Sequence, residues 1–597
     1  MCGYFGVISK NEISEEKVIT SDKFLICRGP DDHRWSRSKI KNKKILNSFH
    51  RLSILDLSDE ANQPMISKQF ETEIMFNGEI YNHLDLRNKL EKNGHTFKTS
   101  HSDTETLLIG LSVYGKEFIQ QLDGQFSIIF INKKESKILL IRDRLGQKPL
   151  FYSISKGELI YSSNLKSIIS YKKKFELDSK QVATFLELNA IPSPNTLDIN
   201  INKLRPAEYI EISLENLSVI EKNIYWNFNG IKKNNIFDKD EFYRIFNNSV
   251  EKRLISDVPL ASLISGGIDS SAIIKSLNSL GVNPINTFSI YNKNKKYDES
   301  YWIKKVVNKF KTQHNYIEID GSNLNVNPID IIKEFDEPYA DPSIIPSYII
   351  YKEISKNYKV ALSGDGGDEL LGGYEKIHLS LKISFLPKTL GKLIFRLFPA
   401  RFGTGGSLNK FYKSPEFSYL KLTTDTKLLN LLNFKSNFQF EKNYFNESLN
   451  TLKKLMLSDY NFYFSELMLL KIDRTSMANS LEIRSPFLDH KLIEYVVSSD
   501  MTFFDVKNPK KLLKDYLKSD FENEFLDRKK KGFVFDLETW IYKNENSILK
   551  IIEESEIFKI VKLKKLFKYK SRINAIRIFK ILIISQFIKD YREIANS

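Results

Sequence analysis

One short stretch constrains the fold more than any other. Residues 260–264 form an apolar run of strand length. They lead into Ser265-Gly266-Gly267-Ile268-Asp269-Ser270-Ser271, and residues 270–280 then carry helical spacing. A strand, a glycine turn and a helix in that order build a parallel sheet rather than a hairpin. Residues 359–362 lead into a second glycine-rich turn, so the unit recurs. Glycines let the backbone close around a phosphate, and a helix N-terminus offers unpaired N–H donors. A lone Gly-Gly turn is ordinary, and this one is not a Walker A loop because no Gly-Lys-Ser/Thr follows.

The first 205 residues read differently. Residues 125–132 and 137–143 are short β-prone runs, residues 84–93 are helical, and glycine turns recur at Gly78, Gly94, Gly124, Gly146 and Gly157. This predicts a packed antiparallel two-sheet domain. A polar Asn/Lys-rich stretch near 232–242 marks the change of pattern. The expected division is a first domain over 1–205, a linker over 206–240 and a second domain over 241–597, mostly helical beyond about 376. There is no internal repeat.

With 597 residues, 41% apolar and 27% charged, the composition is that of a globular protein large enough for several cores. It excludes a disordered tail, a disulfide-stapled mini-domain and a collagen-like fibre. Two cysteines, Cys2 and Cys27, argue against an oxidising compartment. The eight scattered histidines have no zinc-site spacing. The N-terminus lacks signal-peptide character, and no apolar run reaches membrane-spanning length. A cytoplasmic location is therefore expected. The 90 basic and 74 acidic residues leave +16. That charge suits nucleic acid, an acidic substrate, a membrane surface or merely scattered lysine. No RNA- or DNA-binding motif is present, so a nucleic-acid partner is not expected.

Cys2 follows a methionine that is normally removed before a small residue. A cysteine so exposed carries a thiol nucleophile beside an α-amine titrating near 8, close enough to neutrality to act as its base. Five segments follow in order: Arg28-Gly29-Pro30-Asp31, His50-Arg51-Leu52-Ser53-Ile54-Leu55-Asp56, Asn77-Gly78-Glu79-Ile80-Tyr81-Asn82, Ser102-Asp103-Thr104-Glu105 and Arg142-Asp143-Arg144-Leu145-Gly146. Singly they are weak, since Asn-Gly is the commonest hairpin pair and Arg51 alone suits a surface. Together they resemble the class II glutamine amidotransferase domain, an N-terminal nucleophile hydrolase fold of αββα layers. The resemblance implies that Cys2 attacks the glutamine amide, releasing ammonia and leaving a glutamyl thioester. It implies an oxyanion hole from the Asn77 side chain and the Gly78 N–H, with glutamine bound by Arg51 at its α-carboxylate, Asp103 at its α-ammonium, and Asn77 and Glu79. Two positions depart: family members usually have His where Cys27 stands, and Ala-Ser-Glu where Ser162-Ser163-Asn164 stands. Neither touches the nucleophile; both bear on positioning or signalling between domains.

The second half resembles the synthetase domain of asparagine synthetases, an α/β ATP pyrophosphatase fold. The Ser265–Ser271 loop is similar to that family's pyrophosphate loop, which implies cleavage of ATP to AMP and pyrophosphate through an adenylated intermediate. Matches continue through the acidic turn from Ser363 to Tyr374, Leu469-Leu470-Lys471-Ile472-Asp473-Arg474-Thr475-Ser476-Met477-Ala478, Leu481-Glu482-Ile483-Arg484-Ser485-Pro486-Phe487-Leu488-Asp489-His490 and Lys529-Lys530-Lys531-Gly532-Phe533. The resemblance implies ATP contacts from Leu263, Ser265, Gly266, Gly267, Asp269, Ser270, Ile290, Ser363 and Gly364. It implies Mg²⁺ held by Asp269 and Asp368, Lys510 neutralising the acyl-adenylate, and Asp365 accepting a proton as ammonia attacks. Lys510 is also one lysine of a cluster with Lys507, Lys511 and Lys514. The acidic turn lacks EF-hand spacing.

The reaction so implied is amidation of a carboxylate, with glutamine, ATP and an acceptor acid as partners and an enclosed passage for ammonia. Aspartate is the default acceptor and a homodimer the expected assembly. Short bacterial family members carry an arginine in the stretch matching Ala340-Asp341-Pro342-Ser343-Ile344-Ile345-Pro346; here Pro342 replaces it. That pattern resembles a longer branch, some of whose members amidate other acids, including uronic acids of surface polysaccharides. A non-enzymatic scaffold is disfavoured by the intact Cys2, Asn77, Asp269 and Asp368. The charge is concentrated: residues 376–415 hold eight basic and no acidic residues, and 557–589 hold ten and none. Such windows are ordinarily solvated helix faces. They also suit weak docking to an anionic acceptor or membrane surface.

Overall fold

The computed structural model describes residues 2–597 except 156, 232–235, 293–297, 320–325, 375–376, 378–424, 436–450, 501–503, 506–507 and 529–534. In its first half, two six-stranded antiparallel sheets lie face to face. Their strands are β1 (Gly3–Ser9), β2 (Asp32–Ile40), β3 (Lys43–Arg51), β4 (Met65–Ser67), β5 (Thr72–Ile80), β6 (Gly124–Asn132), β7 (Lys137–Arg142), β8 (Phe151–Ser155), β9 (Glu158–Ser162), β10 (Asn202–Lys203), β11 (Glu208–Ser213) and β12 (Val219–Ile224). The orders are β10-β8-β9-β1-β3-β2 and β12-β11-β7-β6-β5-β4.

Side chains alternate across a strand, and β1 uses both faces. Tyr4 and Ile8 point into the core between the sheets with Phe49, Ile129 and Ile210. Phe5 and Val7 point outward, under the helices Leu165–Lys172 and Ser179–Leu188. The helices His83–Lys92 and Asp103–Tyr114 cover the other sheet through Leu86 and Leu107 against Ile74 and Phe126. The result is the expected αββα sandwich.

Two expectations need correction. Residues from 206 do not form a linker: β11 and β12 make a hairpin on the edge of the second sheet, and β11 pairs with β7. Ile210 and Ile212 sit in the core, while the exposed polar edge strand β12 gives little strand signal. Gly78 is not a turn. It lies inside β5 opposite Phe126 with φ +153°, and a Cβ there would come 1.9 Å from the Gln125 carbonyl oxygen.

The second half holds an all-parallel sheet in the order β15-β14-β13-β16-β17. Its strands are β13 (Leu260–Leu263), β14 (Asn286–Asn292), β15 (Gln313–Ile319), β16 (Val360–Leu362) and β17 (Glu482–Arg484). The long helix Arg572–Asn596 packs away from this sheet, against the first half. One buried apolar cluster contains Val7, Leu186, Ile581 and Phe587, so the halves share a core. Among the described residues, no helix is long and apolar enough to cross a membrane.

Candidate active sites

Cys2 is buried beside β5. Its backbone nitrogen donates to Asn77 Oδ1 at 3.0 Å, and Asn77 Nδ2 donates to Ser127 Oγ at 3.5 Å. The strand therefore sets Asn77, one expected oxyanion donor, against Cys2, the expected nucleophile, with Gly78 next along it. Burial pushes the Cys2 thiol above its ordinary value, opposed by the Leu52 N–H and the Arg51 charge. A nucleophile so placed depends on a neighbouring base to become thiolate.

Arg51, at the end of β3, is buried and its guanidinium is spoken for. It donates to Ser58 O at 3.0 Å, Asn62 Oδ1 at 2.5 Å, Leu55 O at 3.2 Å and Asp56 O. Four contacts to one loop fix its position. Asp103 Oδ2 accepts from the Ile80 N–H at 3.2 Å. Glu79 is bound by Arg484 from β17 at 2.9 Å. Burial pushes the carboxyl groups of both Glu79 and Asp103 above their ordinary range.

In the second half, β13 feeds the Ser265–Ser271 loop into helix Ile268–Ser279, which begins at Gly267 without a side-chain cap. Its first N–H groups are thus available to an anion. Ser265 Oγ accepts from the Gly267 N–H at 3.3 Å, and Ser270 Oγ donates to Gly267 O at 3.2 Å. Leu263 and Ile290 lie on adjacent strands at the same end of the sheet. The second turn, entered from β16, packs against the first: a Cβ on Gly367 would lie 2.6 Å from Asp269 Oδ1, and one on Gly364 3.1 Å from the Ser270 nitrogen. Ser363 Oγ donates to Asp365 Oδ2 at 2.8 Å.

Asp269 and Asp368 converge on one cation. Lys510 Nζ lies 2.5 Å from Asp269 Oδ2 and 2.5 Å from Asp368 Oδ1. Two carboxylates from separate loops, facing one point, form an oxygen donor set that suits a hard divalent ion. Asp269, Asp368 and Lys510 therefore meet at one point, with the turn at 364–367 packed against them. The Lys529–Phe533 match lies outside the described residues, as does window 376–415 apart from Ile377.

Sequence reasoning missed several functional candidates. Arg528 clamps the loop from outside, donating to Gly266 O at 3.0 Å and Ser265 O at 3.4 Å while paired with Glu299 at 2.8 Å. Burial, then the Asp368 charge, pushes Glu369 up to about 8, and the Tyr374 hydroxyl donates to it at 2.5 Å. Between the sites runs a buried ion network. Arg28 donates from Nε to the Cys2 carbonyl at 3.3 Å and makes two bonds, 2.9 and 3.1 Å, to Asp473. Arg474 binds Asp473, Asp336 and Glu337 at 2.9, 2.6 and 2.7 Å. Little in the sequence signals this burial, because Glu482-Ile483-Arg484 has one apolar residue in three and charged residues are mostly exposed unless paired.

The network borders a small cavity, with room for a molecule the size of one water. Gln125, Gln147 and Lys148 line it from the first half; Ser363, Leu469, Asp473 and Ser485 are among those lining it from the second. Gln125 pairs in register with Glu79, so one wall adjoins the Asn77-Gly78 strand. Ser363 on the other wall belongs to the nucleotide turn.

The departures have structural accounts. Asn164 caps helix Leu165–Lys172, accepting from the Lys166 N–H at 2.8 Å, and donates to Phe24 O at 3.0 Å. Cys27 is half-buried, and burial pushes its thiol to about 11, an unreactive value. Its carbonyl accepts from Ser480 Oγ at 2.6 Å, a bond between the halves.

Residues 241–567 match the asparagine synthase family, and residues 1–226 match the glutamine amidotransferase domain. An asparagine synthetase [glutamine-hydrolyzing] 1 of Bacillus subtilis is 30% identical over 93% of this chain and 90% of its own length. A putative asparagine synthetase [glutamine-hydrolyzing] 2 of Methanocaldococcus jannaschii is 33% identical over 65% of this chain and 78% of its own. A third relative, asparagine synthetase [glutamine-hydrolyzing] 3 of Bacillus subtilis, is 29% identical over 89% and 87%. Two matched domains in this order make a glutamine-dependent, ATP-using ligase, and the chain belongs to the glutamine-hydrolysing asparagine synthetase family.

Proposed function

We propose that this enzyme converts L-aspartate, L-glutamine, ATP and water to L-asparagine, L-glutamate, AMP and pyrophosphate. One arrangement supports the reading: a water-sized cavity with Gln125, the strand neighbour of Glu79, in one wall and Ser363 of the second glycine turn in the other. Ammonia is of that size.

With Met1 removed, the Cys2 amine takes the thiol proton and the sulfur attacks the glutamine amide carbon. Asn77 Nδ2 and the Gly78 N–H receive the developing oxyanion. Collapse expels ammonia, and water hydrolyses the thioester to glutamate. In the other half the acceptor carboxylate attacks the α-phosphorus of ATP, expelling pyrophosphate and forming an acyl-adenylate. Asp269 and Asp368 would hold Mg²⁺, which supplies charge neutralisation on the pyrophosphate. Ammonia then attacks the acyl carbon, Asp365 takes a proton, and AMP leaves beside Lys510.

The replacement of the short-branch arginine by Pro342 favours a second reading, amidation of another carboxylate such as a uronic acid. A panel of acids scored for glutamine-dependent AMP formation separates the two. AMP released with aspartate supports the first; AMP released only with uronic acids overturns it. The assembly we propose is a homodimer. Exposed Lys564, Lys565 and Lys568, beside exposed Val561 and Tyr569, form the described part of a weak contact for an anionic surface.

A further inference from the structure

Two histidines separated in sequence meet through strand register. His33 of β2 pairs with His50 of β3, and their rings stack 4.0 Å apart at 13°. Asp22, which closes helix Glu15–Asp22, brings its Oδ2 within 3.3 Å of His33 Nε2. Each of the three residues offers one ligand atom, and these atoms all lie within 4.8 Å of one another. No spacing along the chain reveals the group, because strand pairing makes it.

Hydrogen atoms are short at this point. Trp35 Nε1, which can only donate, lies 2.6 Å from His33 Nε2, so that nitrogen carries a lone pair. Ser48 gives its one hydroxyl hydrogen to Asp22 Oδ2 at 2.8 Å, while its oxygen lies 3.0 Å from the same His33 nitrogen. The His33 lone pair therefore faces the Asp22 carboxylate with no hydrogen between them. Protonating Nε2 instead would set its hydrogen against that of the indole. Asp22 Oδ1 and His50 Nε2 are buried as well and have no hydrogen-bond partner among the described residues; their residues are 4% and 5% exposed. Among the described residues no lysine or arginine lies within 4.0 Å of the Asp22 carboxylate. A buried carboxylate left so is costly, and what would settle it is a positive charge that takes up lone pairs.

The geometry points to a binding site for a divalent transition-metal ion, Zn²⁺ above all, formed by Asp22, His33 and His50. Two imidazoles and one carboxylate suit such an ion better than they suit Mg²⁺. In a tetrahedral zinc site, ligands about 2.1 Å from the ion stand roughly 3.4 Å apart, close to the 3.3 Å between Asp22 Oδ2 and His33 Nε2. His33 is exposed, which gives the ion a way in. The other such group among the described residues, Asp123, Asp489 and His490, already has its cations: Lys252 lies 2.7 Å from Asp123 and Arg253 3.3 Å from Asp489. The site is separate from the glutaminase centre. Gly3 is the register partner of His50 and Phe5 that of Ser48, so these side chains share the outer face of the sheet, whereas Cys2 packs with Tyr4 in the interior between the sheets. An ion here ties helix Glu15–Asp22 to β2 and β3.

The test uses the full chain, stripped with chelator and titrated with Zn²⁺ in a calorimeter, with zinc per chain counted after gel filtration. Wild type is expected to hold an equivalent that is lost from His33→Ala, His50→Phe and Asp22→Asn. Each should weaken binding by at least about 100-fold, since loss of an outer partner alone costs roughly 10–100-fold. Cys2→Ala and His490→Ala should keep the equivalent. Zn²⁺ should also raise the melting temperature of wild type and leave that of H33A unchanged. If the buried variants do not fold, H33A decides, because His33 lies exposed on its strand. Wild type that takes up no Zn²⁺, or H33A that binds it as wild type does, overturns the inference. Loss of the equivalent from Cys2→Ala or His490→Ala overturns it too, by placing the ion elsewhere.

Discussion

Arg484 holds Glu79 at 2.9 Å while its own carbonyl accepts from the Ser363 N–H at 2.9 Å. Glu79 follows the proposed oxyanion pair and Ser363 begins the proposed nucleotide turn, so one residue touches both proposed sites. It also binds Glu482 at 2.5 Å and is fully buried. Arg484→Met leaves two buried carboxylates without their cation. A loss of about 3–5 kcal/mol is expected in urea unfolding; an unchanged midpoint would show that the ion cluster contributes nothing net.

Cys2→Ala removes the sulfur and leaves the second half intact. Glutamine-supported AMP formation should fall to background while ammonium-supported formation continues at the wild-type rate. Glutamine use surviving in this variant contradicts the thioester route.

Asp473 belongs to the second half yet steers the first. Burial raises its carboxyl, but the charges of Arg28, Arg474 and Lys148 outweigh that and hold it well below the usual carboxylate range. Asp473→Asn frees Arg28 from its two-bond clamp and loosens the Cys2 carbonyl. We expect glutaminase kcat to drop about 5–30-fold, the scale of one or two hydrogen bonds, with KM for glutamine nearly constant because neither residue contacts it. A change confined to KM would refute this.

The Asp473 and Arg484 contacts mark the limit of what the sequence discloses. Both residues stand in motifs whose order and spacing already indicated two domains, and the strand–turn–helix around Gly266 was evident from local pattern alone. Their partners, Arg28 and Glu79, lie hundreds of residues away in sequence, and no periodicity encodes such a pairing. The edge hairpin Glu208–Ile224 was obscure for another reason: a polar strand at a sheet margin is hard to tell from a polar connection. Gly78 was misplaced because Asn-Gly is so common in turns, whereas here glycine is required by the neighbouring Gln125 carbonyl.

Glu369 gives a pH signature. Its folded value, about 8, exceeds the ordinary 4.5. Below 4.5 both states are protonated, and its contribution is fully present. Between 4.5 and 8 the unfolded chain ionises and the folded one does not, so stability falls as pH rises. Glu369→Gln should flatten the slope of unfolding free energy against pH across this window. An equally steep slope in the variant would remove Glu369 as its source.

Basic surface residues offer a last check. Reversing Lys564, Lys565 and Lys568 to Glu should leave AMP formation unaltered and abolish co-sedimentation with vesicles of anionic lipid at low salt. Equal sedimentation of both proteins would mean these lysines are solvated side chains only.

The helix Arg572–Asn596 has a bearing on biosynthesis. Lys580 Nζ reaches the Leu186 carbonyl, 394 residues earlier, at 3.2 Å, and Ile581 and Phe587 complete the cluster begun by Phe5 and Val7. As the chain emerges from the ribosome, the sandwich is finished early but keeps an uncovered apolar flank until the last helix arrives. Until then the flank formed by the helices over Phe5 and Val7 lacks its apolar cover. A glutaminase fragment cut before residue 240 should need detergent, a chaperone or surface redesign to remain in solution.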